Sequence, residues 1–182
     1  ASTFTYNIGG AAAGIDYRIA PQALIGLGAG YTTGNEWTNS FMGKSTSDSI
    51  AVMAYGSFGQ SGFYADLLAG YAYSNNRLQR QIAIPGLAPR TANGNAGANQ
   101  FLGQIETGYR IGLGFPAKTS ITPFGRLQVG SSTLAGFSES GSNLFNLAFQ
   151  SQTTTSVRTT FGADFAASFD LGGGRPLDIG LR

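Results

Sequence analysis

Ala23-Leu24-Ile25-Gly26-Leu27-Gly28-Ala29-Gly30-Tyr31 decides the fold. Ala23, Ile25, Leu27, Ala29 and Tyr31 fall on one face of an extended chain, with Gly26, Gly28 and Gly30 on the other. A period of two is the mark of a β-strand that is apolar on one side. No helix follows the glycines and the spacing of a phosphate loop is incomplete, so small residues on one face of a strand are the simpler reading.

The same split recurs along the chain. Ala11, Ala13, Ile15, Tyr17 and Ile19 oppose Gly14, Asp16 and Arg18; Phe63, Ala65, Leu67, Ala69 and Tyr71 oppose Tyr64, Asp66 and Gly70. Ile105, Tyr109 and Ile111 oppose Gln104, Glu106, Gly108 and Arg110, and Leu127 and Val129 oppose Arg126 and Gln128. Val157, Phe161, Ala163, Phe165, Ala167 and Phe169 oppose Arg158, Thr160, Gly162, Asp164 and Ser168. The last segment sets Leu177, Ile179 and Leu181 against Asp178, Gly180 and Arg182. Segment 49–58 leaves its outer face open, because Ala51, Met53 and Tyr55 compete with Ile50, Val52, Ala54 and Phe58. Eight strands are expected.

Composition says where such strands can live. Only 11% of the residues are charged, against roughly 25% in soluble domains. No run of about 18 apolar residues exists, which excludes a transmembrane helix. Alternation in a membrane barrel dilutes hydrophobicity, which accounts for a mean hydropathy of -0.01. A net charge of +2 without a Lys/Arg run gives no footing for nucleic acid. With neither cysteine nor histidine, disulfides, Ser-His-Asp and Cys-His catalysis and the usual zinc sites are excluded. No metal, cofactor or enzymatic role is expected.

The connections sort by length. Those around Pro21, Gln60–Ser61, Pro116 and Gly172–Gly174 read as short; those at 34–47, 75–98 and 138–150 read as long and polar. Strict alternation puts every short turn on one rim of an up-and-down antiparallel barrel and every long loop on the other. In outer-membrane barrels the short turns are periplasmic and the long loops extracellular.

Charge then picks the wet face. Asp16, Arg18, Asp66, Glu106, Arg110, Arg126, Arg158, Asp164, Asp178 and Arg182 all share the glycine-rich face. Facing lipid, each would cost a few kcal/mol near the midplane, so this face is expected to line the lumen. Folding about Pro116 should bring Glu106 opposite or diagonal to Arg126, and the next hairpin should bring Asp164 near Arg182. Such pairs hold a lumen together without any transported solute, and a role in guiding a polypeptide is the second reading. On the outer face Tyr17, Tyr109 and Phe169 stand near the short-turn rim, and Tyr31, Tyr71, Tyr73 and Phe101 near the other. Amphipathic rings at both levels make the two expected belts. Arg77, Arg80 and Arg90 read as solvated loop residues rather than an adhesive patch.

The chain resembles the autotransporter β-domain family over nearly its whole length. The matching stretches are Gly14-Ile15-Asp16-Tyr17-Arg18, Leu24 to Tyr31, Asp48-Ser49 with Tyr55-Gly56, Gly62-Phe63-Tyr64-Ala65-Asp66, Glu106-Thr107-Gly108-Tyr109-Arg110 and Thr122-Pro123-Phe124-Gly125. The most specific are Gly136-Phe137-Ser138-Glu139-Ser140-Gly141 and Gln150 to Arg158, followed by Phe161-Gly162-Ala163. The resemblance implies a twelve-stranded barrel with an α-helix in its pore leading to a secreted passenger. It implies as partners the outer-membrane lipid, the chain's own passenger and pore helix, and the barrel-assembly machinery. On that comparison residues 1–182 are expected to be one translocator domain lacking about the first strand, the pore helix and the last three strands. The alternatives are a stand-alone eight-stranded outer-membrane protein with a structural or adhesive role, and a soluble lipocalin-type barrel with the apolar face inward.

Overall fold

The structure, a computed structural model, describes residues 4–38, 43–114, 118–170 and 176–181. It is an antiparallel meander. The long strands are β1 (Phe4–Ala20), β2 (Ala23–Thr38), β3 (Gly43–Gln60), β4 (Phe63–Ile82) and β5 (Arg90–Tyr109). After the two-residue β6 (Ile111–Gly112) comes β7 (Lys118–Leu134), then the short β8 (Phe137–Ser138) and β9 (Ala148–Phe149), then β10 (Gln152–Asp170) and β11 (Pro176–Leu181). The eight long strands pair in chain order, β1-β2-β3-β4-β5-β7-β10-β11. All eight expected strands are present. The sheet is not closed: among the described residues β1 and β11 pair on one side only.

Register settles the faces, because directly paired residues point to the same side. Ile25 pairs with Tyr17 and Gly56, and the row continues through Leu67, Ile105, Leu127 and Thr159. Ala29 pairs with Val52 and Leu27 with Ala54. Segment 49–58 therefore turns Ile50, Val52, Ala54 and Phe58 outward and Ala51, Met53 and Tyr55 inward. The Ile25 row lies close to the short turn on β2 and far from it on β10, a stagger that tilts the strands as a barrel requires.

Among the described residues the turns differ from the expectation on one rim only. Pro21–Gln22 and Ser61–Gly62 are two-residue hairpin turns, the latter with φ of 52° and 91° at its two residues. Both central residues left-handed is the turn that matches strand twist, and glycine fills one of them freely. The turns about Pro116 and Gly172–Gly174 lie outside the described residues. The segments read as long loops are mostly strand: Thr38 pairs with Gly43, and Ile82 with Arg90. Residues 34–38, 43–47, 75–82 and 90–98 continue the hairpins past the apolar band, leaving 83–89 as the connection in the second. Only 135–151 keeps much irregular chain, around β8, β9 and a 3-10 turn at Asn143–Phe145.

The apolar band itself spans Ala23–Tyr31, Ile50–Phe58, Phe63–Tyr73 and Phe101–Tyr109 on β2 to β5. That matches the ~9–11 tilted residues a strand needs to cross the hydrocarbon core. Among the described residues there is no apolar interior in the soluble sense, because the large aliphatic residues of the outer face are exposed, Ile15 and Leu27 among them.

Candidate functional site

The inner face carries its charge mainly toward the short-turn rim. Glu106 and Arg126 are directly paired across β5 and β7, and Nε and Nη2 of Arg126 each lie 2.5 Å from Oε2 of Glu106. Tyr64, on the neighbouring β4, donates its hydroxyl to Oε1 of Glu106 at 2.8 Å. The carboxylate is only 4% exposed, and both its oxygens are held by donors. A charged group buried this far is tolerable only when so satisfied.

The other expected lumen residues sort as follows. Asp66 is directly opposite Glu106, a carboxylate beside a carboxylate. Arg110 donates from Nε to Ser120 Oγ at 3.1 Å. Arg18 turns to the rim, donating to the Pro21 carbonyl at 3.1 Å. Asp16 is opposite Gly26, Arg158 opposite Gln128, Asp164 opposite Thr122 and Asp178 opposite Ser168, all on the inner face by register. Arg182 lies outside the described residues, and with it the expected pair to Asp164. Gln128 donates to Gln104 at 2.7 Å, one row above the Glu106–Arg126 pair.

Above this ladder small residues predominate on the inner wall. Gly10, Ala12, Gly30, Ala51, Ala72 and Ser74 border a recess of about 530 Å³. The arrangement is a polar, ion-paired lower wall and an upper wall of mostly small residues, with Ile8, Met53 and Gln100 among them. Among the described residues no group of three or more carboxylates could hold a metal ion.

Three inward aromatic residues are not among the site residues expected from the sequence, although Tyr64 falls on its glycine-rich face. Tyr55 is directly opposite Gly26, Tyr64 opposite Gly108 and Phe124 opposite Gly162. Each ring lies over its glycine, in the space that a Cβ would need. The signal was available: each is an aromatic residue on the glycine-rich face, but only register shows which glycine it covers.

The aromatic residues of the outer face sort to its two ends. Tyr17, Tyr109 and Phe169 are outward near one rim, and Tyr31, Tyr71, Tyr73 and Phe101 outward near the other, by register and exposure. Tyr71 and Phe101 are directly paired, with ring centroids 5.0 Å apart. Tyr71 also donates its hydroxyl to Asn99 at 2.7 Å, just beyond the band.

At the long-loop rim the segment 135–151 folds back onto the β4–β5 hairpin. Asn93 and Ser140 exchange backbone hydrogen bonds at 2.8 Å. Phe137 stacks on Phe149, centroids 4.8 Å apart, and covers the inward side of Gly94. Glu139 forms an ion pair with Arg80, takes a further hydrogen bond from the Leu147 amide at 2.9 Å, and Arg80 also donates to the Phe145 carbonyl at 3.1 Å. Arg90 donates to the Ser142 carbonyl at 3.4 Å and lies 5.7 Å from the Phe145 ring centre. Arg80 and Arg90, read as solvated, are therefore latch residues. The Arg80 guanidinium, first as hydrogen-bond donor and then as charge, holds the Glu139 carboxyl below the usual carboxylate range.

A comparison with protein-family models matches residues 1–182 to the autotransporter β-domain. Among solved structures, the translocator domain of the autotransporter NalP from Neisseria meningitidis gives a TM-score of 0.74 at 16% identity. That match covers 92% of this chain and 57% of the NalP chain. The β-domain of the Bordetella autotransporter BrkA gives 0.64 at 20% identity, over 97% of this chain and 68% of the other. No curated protein matches by sequence. At these identities the structural likeness speaks for the fold, and the family match for kinship.

Proposed function

Because the chain belongs to the autotransporter β-domain family, a family of outer-membrane transport barrels and not of enzymes, we propose that it walls a channel for the parent protein's own passenger. The passenger, N-terminal to the barrel, would pass to the cell surface through or alongside this wall. The observation that carries the reading is the Glu106–Arg126–Tyr64 cluster on the inner face, set back to back with an aliphatic outer face. Ionic groups inside and hydrocarbon outside suit lipid on one side and water or polar chain on the other.

In this reading the ladder of paired charges hydrates the lower lumen and fixes a pore helix, while the belt residues hold the depth in the outer-membrane lipid. The long hairpins are extracellular and the short turns periplasmic. The barrel-assembly machinery inserts the strands. The small residues Gly10, Ala12 and Gly30 of the upper wall leave room for a chain to move past.

Single cysteines at Ile105, Glu106, Tyr109 and Arg110, in the parent protein in outer-membrane vesicles, test the inside-out pattern. A water-soluble thiol reagent should reach positions 106 and 110, and a lipid-phase reagent 105 and 109. In whole cells the passenger should be accessible to external protease. Lipid-shielded positions 105 and 109 with 106 in bulk solvent would overturn the membrane barrel. A correctly patterned barrel that leaves its passenger in the periplasm would overturn the translocator role.

A further inference from the structure

The outward face of β2, β3 and β4 stays ordered well beyond the aromatic belt. Its directly paired rows, counted away from the membrane, are Tyr31–Ile50–Tyr73, then Thr33–Asp48–Asn75, Asn35–Thr46–Arg77 and Trp37–Lys44–Gln79. Two cations and the single tryptophan thus stand at headgroup height, Arg77 about 13 Å along the strand above Tyr73. Trp37 and Lys44 are paired directly, and Lys44 is diagonal to Arg77, with Cα atoms roughly 7–8 Å apart.

The one carboxylate of the patch is already engaged. Asp48 accepts from Thr33 at 2.8 Å and Tyr31 at 3.0 Å, and Arg77 Nη1 lies 3.5 Å from its other oxygen. Arg77 nonetheless keeps its side chain 63% exposed, and among the described residues Lys44 pairs with no carboxylate. Below the belt the same strands carry a shallow apolar trough of about 780 Å³. Ala29, Ala54, Ala69, Leu27, Val52 and Tyr71 line it, together with Ala13 and Ile15 of β1.

We infer that this face docks one phosphorylated glycolipid of the outer leaflet, with an acyl chain in the trough and its phosphates on Lys44 and Arg77. The occupant follows from complementarity. An apolar trough on the same outward face as two spaced cations, two rows of paired residues apart from them, asks for an amphiphile bearing more than one anionic group. The guanidinium fork favours phosphate, and an indole ring beside Lys44 offers a stacking face for a sugar. The inference rests on the long hairpins being extracellular, as the proposed function has it.

Native mass spectrometry of the detergent-solubilised parent protein tests it, with bisphosphorylated disaccharide lipid of the lipid A type as probe. Its dephosphorylated form and phosphatidylglycerol serve as comparators. The probe should bind at least tenfold more tightly than either comparator, and Lys44→Gln with Arg77→Gln should remove that margin. Ala54→Phe with Ala69→Phe, which leaves the charges alone, should also weaken binding at least fivefold. Equal binding of all three lipids, or unchanged binding by both double variants, overturns the inference. Passenger display is followed in the same strains. Intact display with indifferent lipid binding sinks this inference alone, whereas a stranded passenger with long hairpins protected from external protease sinks the proposed function.

Discussion

A single methyl group is the sharpest probe of the inner wall. A Cβ on Gly108 would sit 2.5 Å from the Tyr64 ring and 2.7 Å from the Pro123 carbonyl, which is backbone and cannot swing away. Displacing the ring also breaks its hydrogen bond to Glu106, and that carboxylate is buried. Gly108→Ala should therefore lower barrel stability by ~1–3 kcal/mol, the usual range for overpacking. Tyr64→Phe, which removes only the hydroxyl, should cost about 1–2 kcal/mol. Gly103, whose Cβ would meet nothing within 4 Å, is the control: Gly103→Ala should stay within ~0.5 kcal/mol. The temperature at which the folded band is lost in cold-loaded gels reads all three, and equal behaviour of Gly108→Ala and Gly103→Ala would refute the packing argument. At this scale alternation marked which residues face inward, except along segment 49–58. It did not tell what each touches, since Glu106 with Arg126 could be paired by folding a local hairpin, whereas Tyr64 reaches Glu106 across 42 residues of chain.

At the scale of elements, the latch over the β4–β5 hairpin has its own pH dependence. Arg80 holds the Glu139 carboxyl below its ordinary value. A depressed folded pKa means the stabilisation is fully present above the unfolded glutamate value of about 4.3 and is lost as pH falls through the folded one. A nitroxide on Leu144, which is almost fully exposed at the tip, should stay in its native mobility at neutral pH and loosen only below that range. Glu139→Gln should be loose at every pH with no titration left. A Glu139→Gln segment as ordered as the native one would show that Phe137 and the backbone bonds to Asn93 suffice. None of this was legible beforehand, because Arg80 and Glu139 are 59 residues apart. The extended hairpins were missed for a different reason: alternation marks a strand only where one face meets lipid. Residues 34–38 and 75–82 extend the hairpins past the apolar band, where Asn, Thr, Gln and Arg erase the period and the segments read as loops. Segment 49–58 failed in the opposite sense, since Met53 and Tyr55 make its inner face as apolar as its outer one. Only pairing with β2, where Tyr55 needs Gly26 beneath it, separates the two.

For the whole molecule the meander order was readable because every long strand pairs with its neighbour in the chain, so each hairpin is a local decision. The stagger was not, since it depends on register summed over many pairs. What the molecule stakes on the faces is testable with two consecutive residues. Ile105 lies mid-band on β5, paired with Leu67 and Leu127 on the outer face. Gln104 beside it points inward between Leu68 and Gln128. An arginine facing lipid near the midplane costs about 2–4 kcal/mol, while one facing a wet lumen keeps its hydration. Ile105→Arg should accordingly destabilise the inserted barrel by ~2–4 kcal/mol in denaturant unfolding from lipid bilayers and reduce its level in the outer membrane. Gln104→Arg should insert normally and lose less than ~1 kcal/mol. If the two arginines cost the same, the faces are not divided between lipid and water. If Gln104→Arg is the worse, the inner face is packed dry, and a lumen wide enough for a passing chain is ruled out.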